Sequence, residues 1–191
     1  MLGFSIKKKF SLLMLLILTL TLLHSYFVSY KATAQLTQQA NATLLVQPMF
    51  GFHSDWQRTF IVNDGQSTKS IQLFEDTGWW SGSNLYLHTS GTYVVHEGQN
   101  GCFGFALNPL TYDIRASISC EKRPELTADA SKAVSRLDGY PASPYYEGLF
   151  YIGRFVETNR VGASQEDQPR SKPVIFQTFI EHSETELPDI L

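Results

Sequence analysis

The feature that most narrows the fold of this chain is a hydrophobic period of two, which recurs in short runs from Thr43 into the last twenty residues. Side chains on a strand alternate between faces. Runs of β-branched and aromatic residues broken by turn residues therefore specify half-buried strands. The runs are Thr43 to Gln47, Arg58 to Val62, Ser70 to Phe74, Asn84 to His88, Thr92 to His96, Cys102 to Leu107, Tyr112 to Cys120, Leu149 to Glu157 and Pro173 to Glu181. Asn63-Asp64-Gly65, Thr89-Ser90-Gly91 and Gln99-Asn100-Gly101 each place a residue tolerant of positive φ where a hairpin needs one. One stretch has helical spacing: Leu126, Ala130, Ala133, Val134 and Leu137 share a face, Thr127 caps the start, and Asp138-Gly139 closes the end. The expected fold is mainly β, a small antiparallel β-sandwich, barrel or curved sheet with one short helix.

The hairpin from Asn84 to His96 allows its register to be argued from chemistry. With Thr89-Ser90-Gly91 as a three-residue loop and Gly91 in the left-handed region, Leu85 and Leu87 share a face with Tyr93 and Val95. A register shifted by one would flip one strand's side chains and spoil that apolar face. The opposite face then carries Asn84, Tyr86, His88, Thr92, Val94 and His96, a mixed set expected to be partly wet. His96 falls opposite Asn84, four residues of strand from His88, or about 13 Å at the usual rise. Zinc ligands each sit about 2 Å from the ion, so these two histidines cannot share one. His53 and Asp55 lack ligand spacing, and no metal or cofactor is expected.

Cys102 and Cys120, the two cysteines of the chain, flank a strand, a turn at Asn108-Pro109 and a second strand. They are expected to form a disulfide near the open end of that hairpin. Gly101, Phe103 and Gly104 offer no positive charge that would lower a thiol pKa, which argues against a nucleophilic cysteine.

The N-terminus supplies the setting for that disulfide. Lys7, Lys8 and Lys9 precede an apolar run from Phe10 to Leu23, and Ala32-Thr33-Ala34 follows. That order reads as an export signal over residues 1–34, with cleavage leaving Gln35 first and a single exported domain over 35–191. The alternative is an uncleaved membrane anchor over about residues 8–30, because Tyr26, Phe27, Val28 and Tyr30 prolong the segment towards the roughly 20 residues that span a bilayer. In both cases the lysines stay on the cytoplasmic side. The domain is expected to be extracytoplasmic, periplasmic or secreted, and to meet a membrane only through this segment. Exported thiols oxidise, in keeping with the disulfide.

Lys7, Lys8, Lys9 and Lys31 precede Gln35, so the exported part keeps 11 of the 15 basic residues against all 18 acidic ones, moving the net charge from −3 to −7. A nucleic-acid partner would require a basic stripe to displace counterions from phosphates, and none is visible. Residues 159–172 read as an exposed loop, and the acidic tail 182–191 as a solvated end.

No residue pattern names a reaction. Gly-x-Ser-x-Gly, the phosphate-binding loop and the dinucleotide fingerprint are all missing from the sequence, so no catalytic residue is assigned. Glu75 or Asp76 could work with Glu97 or Glu147 in glycoside chemistry only at a separation the sequence does not supply. The candidate binding residues are aromatic. Trp79 and Trp80 lie among small residues in Asp76 to Ser83, and Tyr145 and Tyr146 follow Pro144. Exposed rings of this kind can stack on a glycan or anchor a protein interface. The leading expectation is a non-enzymatic domain that binds a protein or cell-envelope component. The alternatives are an inhibitor or immunity-type protein against a lytic enzyme, and a hydrolase of polysaccharide or peptide.

Overall fold

Two antiparallel sheets face each other in the computed structural model, which describes residues 6–27, 29–48, 56–73, 80, 82–98, 101–113, 120, 122, 136–157 and 174–187. The first sheet is a meander of β1 (Tyr30–Gln35), β2 (Asn41–Pro48), β3 (Trp56–Asn63) and β4 (Thr68–Gln72) in that order. Six strands form the second: β5 (Ser83–His88), β6 (Tyr93–His96), β7 (Cys102–Leu107), β8 (Leu110–Asp113), β11 (Leu149–Glu157) and β12 (Val174–Thr178). Their order is β12-β11-β5-β6-β7-β8, and β9 (Arg136–Leu137) and β10 (Tyr140–Pro141) form a separate small hairpin, with β10 beside β11. The sheets meet at both margins, since β1 runs beside β12 and β4 beside β8. The architecture is therefore a sandwich closed along its two seams, and the expected mainly β, disulfide-stapled fold is what forms.

Alternation places one side chain in two from each strand between the sheets. Ala34, Ala42, Leu44, Phe60 and Val62 come from one side, and Leu85, Leu87, Val95, Phe105 and Phe155 from the other. Phe60 sits at the centre, with Phe103, Phe105 and Phe155 at ring-centroid distances of 5.4, 5.8 and 5.8 Å. Edge-to-face and tilted contacts of this kind add to area burial in holding such a core.

The β5–β6 hairpin adopts the register expected from its turn. Asn84 lies opposite His96, Leu85 opposite Val95, and Leu87 opposite Tyr93, with Gly91 at φ 83°. Other expectations need correction. Leu137 belongs to β9, and Asp138-Gly139 forms a β-turn at φ 50° and 88° instead of closing a helix. The remaining positions of that expected helix lie outside the described residues, as do loop 159–172, His53, Asp55, Glu75 and Asp76. The helix that is described is α1 (Ile6–Phe27). Its described side chains run from Phe10 to Leu20, and among the described residues no helix is long and apolar enough to cross a membrane.

Residues read as a cleavage motif turn out to be strand. Ala32 and Ala34 point into the core from β1, opposite Leu44 and Ala42 of β2. In β11, a bulge between Tyr151 and Gly153 resets the alternation, so Arg154 faces outward while Phe155 returns to the core. Gly153 is required there, because a Cβ would run into the Gln177 carbonyl and the Phe176 ring of β12.

Candidate functional site

The outer face of the six-stranded sheet sets polar residues beside tyrosines. Register sets Arg154, Asn84, His96 and Cys102 side by side across β11, β5, β6 and β7. The next row holds Tyr151, Tyr86, Val94 and Gly104. Because residues two apart on a strand share a face, both rows look away from the inter-sheet core.

This face was expected to be partly wet, and over most of its length it is closed. Asn84, Tyr86, Val94 and His96 are buried, while His88 and Thr92 at the hairpin end are half-buried. The cover is made by residues 142–148 and by the chain end that follows β12. Tyr86 Oη donates to Glu184 Oε1 at 2.8 Å, and Ser143 Oγ donates to the same oxygen at 2.6 Å. Asn84 Nδ2 donates to the Thr185 carbonyl at 2.9 Å, and Arg154 Nη1 to Thr185 Oγ1 at 2.7 Å. Leu187 is 2 % exposed, and its backbone N–H donates to Tyr146 Oη at 3.3 Å. Lys122 pairs with Glu186 at the rim, at 2.9 Å. Residues 182–187 are thus a strap with specific partners, with Ser183, Thr185 and Glu186 still exposed, and the rest of the expected acidic tail, 188–191, lies outside the described residues.

Burial, reinforced by the Glu184 charge, raises the Tyr86 hydroxyl well above its ordinary pKa of 10.0. Burial likewise raises Tyr151 and Tyr146. The three phenols stay protonated, and of them Tyr86 Oη donates to Glu184 while Tyr146 Oη accepts from Leu187 N–H. Among the described residues, Asn84 Oδ1 and the Tyr151 hydroxyl are buried without a hydrogen-bond partner.

Cys102 and Cys120 form the expected disulfide, with their Cα atoms 6.1 Å apart. It points to an oxidising, extracytoplasmic environment. His96 lies directly opposite Cys102, its Nδ1 accepting from Gly98 N–H at 2.8 Å and its ring packing on Tyr146 at 4.8 Å. The ligand atoms of His96, Cys102 and Cys120 all fall within 4.8 Å of one another. A cysteine ligates zinc as its thiolate, and a disulfide has none to offer, so this trio can hold a metal only after reduction. Sequence reasoning set His96 against His88 and missed the cysteines. The Gly101 turn joining β6 to β7 was the signal that would have found the trio.

The aromatic candidates separate once placed. Trp80 lies in the core, 5.2 Å from the Arg58 guanidinium, and its Nε1 donates to Ser83 Oγ at 2.9 Å. Tyr146 is buried beneath the strap, packed between Tyr86 and His96. Neither ring can act as the exposed contact expected of it, because each fills a space the fold needs filled. Trp79 lies outside the described residues. Tyr145 is half-buried and keeps an accessible edge.

Near it the structure adds residues that the sequence did not single out. Phe179 is half-buried and meets the Tyr140 ring at 5.7 Å. Ile180 is 81 % exposed, the one large hydrophobic side chain so exposed outside α1 among the described residues. It rides on a turn tied by Glu181 N–H and His182 N–H to the Thr178 carbonyl, both at 3.0 Å. The Glu181 carboxylate also accepts from Thr178 N–H and Oγ1, and those bonds hold its pKa below 4.5.

Of the acids considered for glycoside chemistry, Glu97 is 6 % exposed and ion-paired with Arg58, which is 0 % exposed between the sheets. Glu147 is exposed on the surface. Compared with known proteins, the chain matches no family model, and neither a curated protein nor a solved structure matches it.

Proposed function

We propose that this chain is an exported, non-enzymatic β-domain that binds a protein or cell-envelope component through the surface around Ile180. The observation that carries the reading is the firmly held turn that presents Ile180. An apolar side chain 81 % exposed contributes little to the fold, yet the turn that carries it is secured by four hydrogen bonds joining Thr178 to Glu181 and His182. Phe179, the residue before Ile180, is a half-buried ring that meets Tyr140 and packs with Tyr145 on the same buried cluster. A rigid aliphatic knob beside aromatic rings suits the centre of an interface, where preorganised apolar anchors supply most of the affinity. The reading against catalysis is supported by Glu97, whose carboxylate is taken up by Arg58 inside the domain.

The test places a photo-crosslinking residue at position 180 in the exported chain and compares it with one at the exposed Gln66. Capture from 180 alone is expected, and Ile180→Asp combined with Tyr145→Ala should weaken binding of the captured partner by tenfold or more. A partner bound equally well by the double variant refutes the assignment. A partner that is a lytic enzyme and loses turnover in the complex makes the domain an inhibitor.

A further inference from the structure

We infer that the outer face beneath the strap is a peptide-recognition groove that takes an extended acidic segment of the form Glu-x-x-Leu from a partner protein, and that residues 183–187 are its resident competitor. The groove is distinct from the Ile180 turn and stands whether or not that turn binds a partner.

The face reads the strap residue by residue. Tyr86 Oη and Ser143 Oγ both donate to one oxygen of the Glu184 carboxylate, and Asn84 Nδ2 donates to Tyr86 Oη at 2.9 Å, which aims the phenol. At the next position Asn84 Nδ2 also donates to the Thr185 carbonyl, and Arg154 Nη1 donates to the Thr185 hydroxyl. Glu186 pairs with Lys122 at the rim, and Leu187 is enclosed while its N–H donates to Tyr146 Oη. Residues 183–187 form no strand, so side chains of the face supply these contacts in place of a shared ladder. Readout by side chains depends on the sequence being read, whereas strand addition takes its affinity from the main chain. The hydroxyl donors, Arg154 and Lys122 make the preferred occupant acidic, because a carboxylate accepts stronger hydrogen bonds than a neutral oxygen does.

The strap is an incomplete occupant of this face. Asn84 is 0 % exposed and Tyr151 1 % exposed, yet Asn84 Oδ1 and the Tyr151 hydroxyl have no hydrogen-bond partner among the described residues. Asn84 is the residue that meets Thr185, and Tyr151 lies close enough to Glu184 for that charge to act on its phenol. An unmatched buried polar atom forfeits its bond to water, which is why permanent interiors pair nearly all of theirs. A segment that brings a donor to Asn84 Oδ1 complements the face better than the chain's own tail.

The strap can also lift without dismantling the sheet. It follows the turn whose bonds run between Thr178 and residues 181 and 182, so release of residues 183–187 breaks no strand and leaves that turn tied. Ser183, Thr185 and Glu186 are already exposed. Tethering gives the strap an effective concentration on the order of millimolar, and a partner segment displaces it by binding the open face more tightly than that.

The test uses the full-length chain and a fluorescein-labelled peptide amide, Ser-Glu-Thr-Glu-Leu, the sequence of residues 183–187, read by anisotropy. Glu184→Arg removes the carboxylate from between Tyr86 and Ser143 and frees the face, so this variant should bind the peptide roughly tenfold more tightly than the parent, whose own strap competes. A peptide with both glutamates replaced by glutamine should lose that gain. Leu187→Ser loosens the strap by a smaller change and should repeat the result, with circular dichroism and the urea midpoint reporting that each variant is folded. The inference is overturned if a folded variant binds the peptide no better than the parent, or if a scrambled peptide binds equally well. It is also overturned if both variants unfold, which would make the strap an integral part of the fold, or if the variants pair into dimers that the peptide does not dissociate, which would give the groove to a second copy of this chain.

Discussion

Replacing Glu97 by Gln removes one charge from an ion pair enclosed between the sheets, and should be among the most damaging single changes in the domain. Arg58 is 0 % exposed and Glu97 6 % exposed, so water cannot screen the charge left behind. Breaking a buried pair by losing one member costs about 3–5 kcal/mol. Trp80, whose ring lies 5.2 Å from the guanidinium, offsets part of this through a cation–π contact worth up to about 2 kcal/mol when desolvated. The net expectation for Glu97→Gln is a loss of about 2–4 kcal/mol. At roughly 2–4 °C per kcal/mol for a domain of this size, the midpoint of thermal unfolding should fall by about 4–16 °C. The double variant Arg58→Met with Glu97→Leu removes both charges and should recover most of the loss, because apolar replacements of a buried pair are often neutral or stabilising. Urea unfolding followed by tryptophan fluorescence gives all three stabilities, and Trp80 reports from beside the altered pair. If Glu97→Gln unfolds within 1 kcal/mol of the parent, or the double variant is no more stable than the single, the pair is not held in a low-dielectric interior and the reasoning fails.

Three further outcomes follow from the staple, the strap and the β3–β4 turn. Replacing Cys102 and Cys120 by Ser should lower stability by about 3 kcal/mol in the chain-entropy model for a separation of 18 residues, measured as the shift in urea midpoint without reductant. Leu187→Ala should cost about 2–4 kcal/mol by the same measurement, and an effect under 0.5 kcal/mol would mean the strap is not docked in solution. The Asp64 carboxyl accepts from Ser67 N–H and Gln66 N–H, which hold its pKa below the ordinary 3.8. A depressed carboxyl contributes stability that is complete above the unfolded pKa and is lost as pH falls through the folded one. The stability difference between the parent and Asp64→Asn should therefore be constant above about pH 5 and shrink as the pH falls from about 4 towards 2.

Much of the framework was legible because its determinants are local. Thr89-Ser90-Gly91 dictated the β5–β6 register through a glycine at φ 83°, and the limits of β7 and β11 coincide with their apolar runs. The disulfide was legible from the two cysteines of the chain, placed at the ends of a strand–turn–strand segment. β1 was not, since Ala32-Thr33-Ala34 satisfies a cleavage motif and an edge strand equally well, and only pairing with β2 distinguishes the two. Asp138-Gly139 suits a helix end and a hairpin turn alike, and the partner strand Tyr140–Pro141 decided between them.

The candidate site was the least legible part, for the same reason. Period two placed Arg58 on the face of Phe60 and Val62, but it could not reveal a neutralising Glu97 from 39 residues away. It put Tyr86 on the face opposite the core, yet Glu184, which covers it, lies 98 residues on. By itself the sequence determined strand, turn and staple, because each is decided by residues within a few positions of one another or by composition. Only the tertiary structure decided which faces stay open. Burial depends on what distant segments lay over a surface, and that packing closed over Trp80 and Tyr146 while leaving Ile180 exposed on its turn.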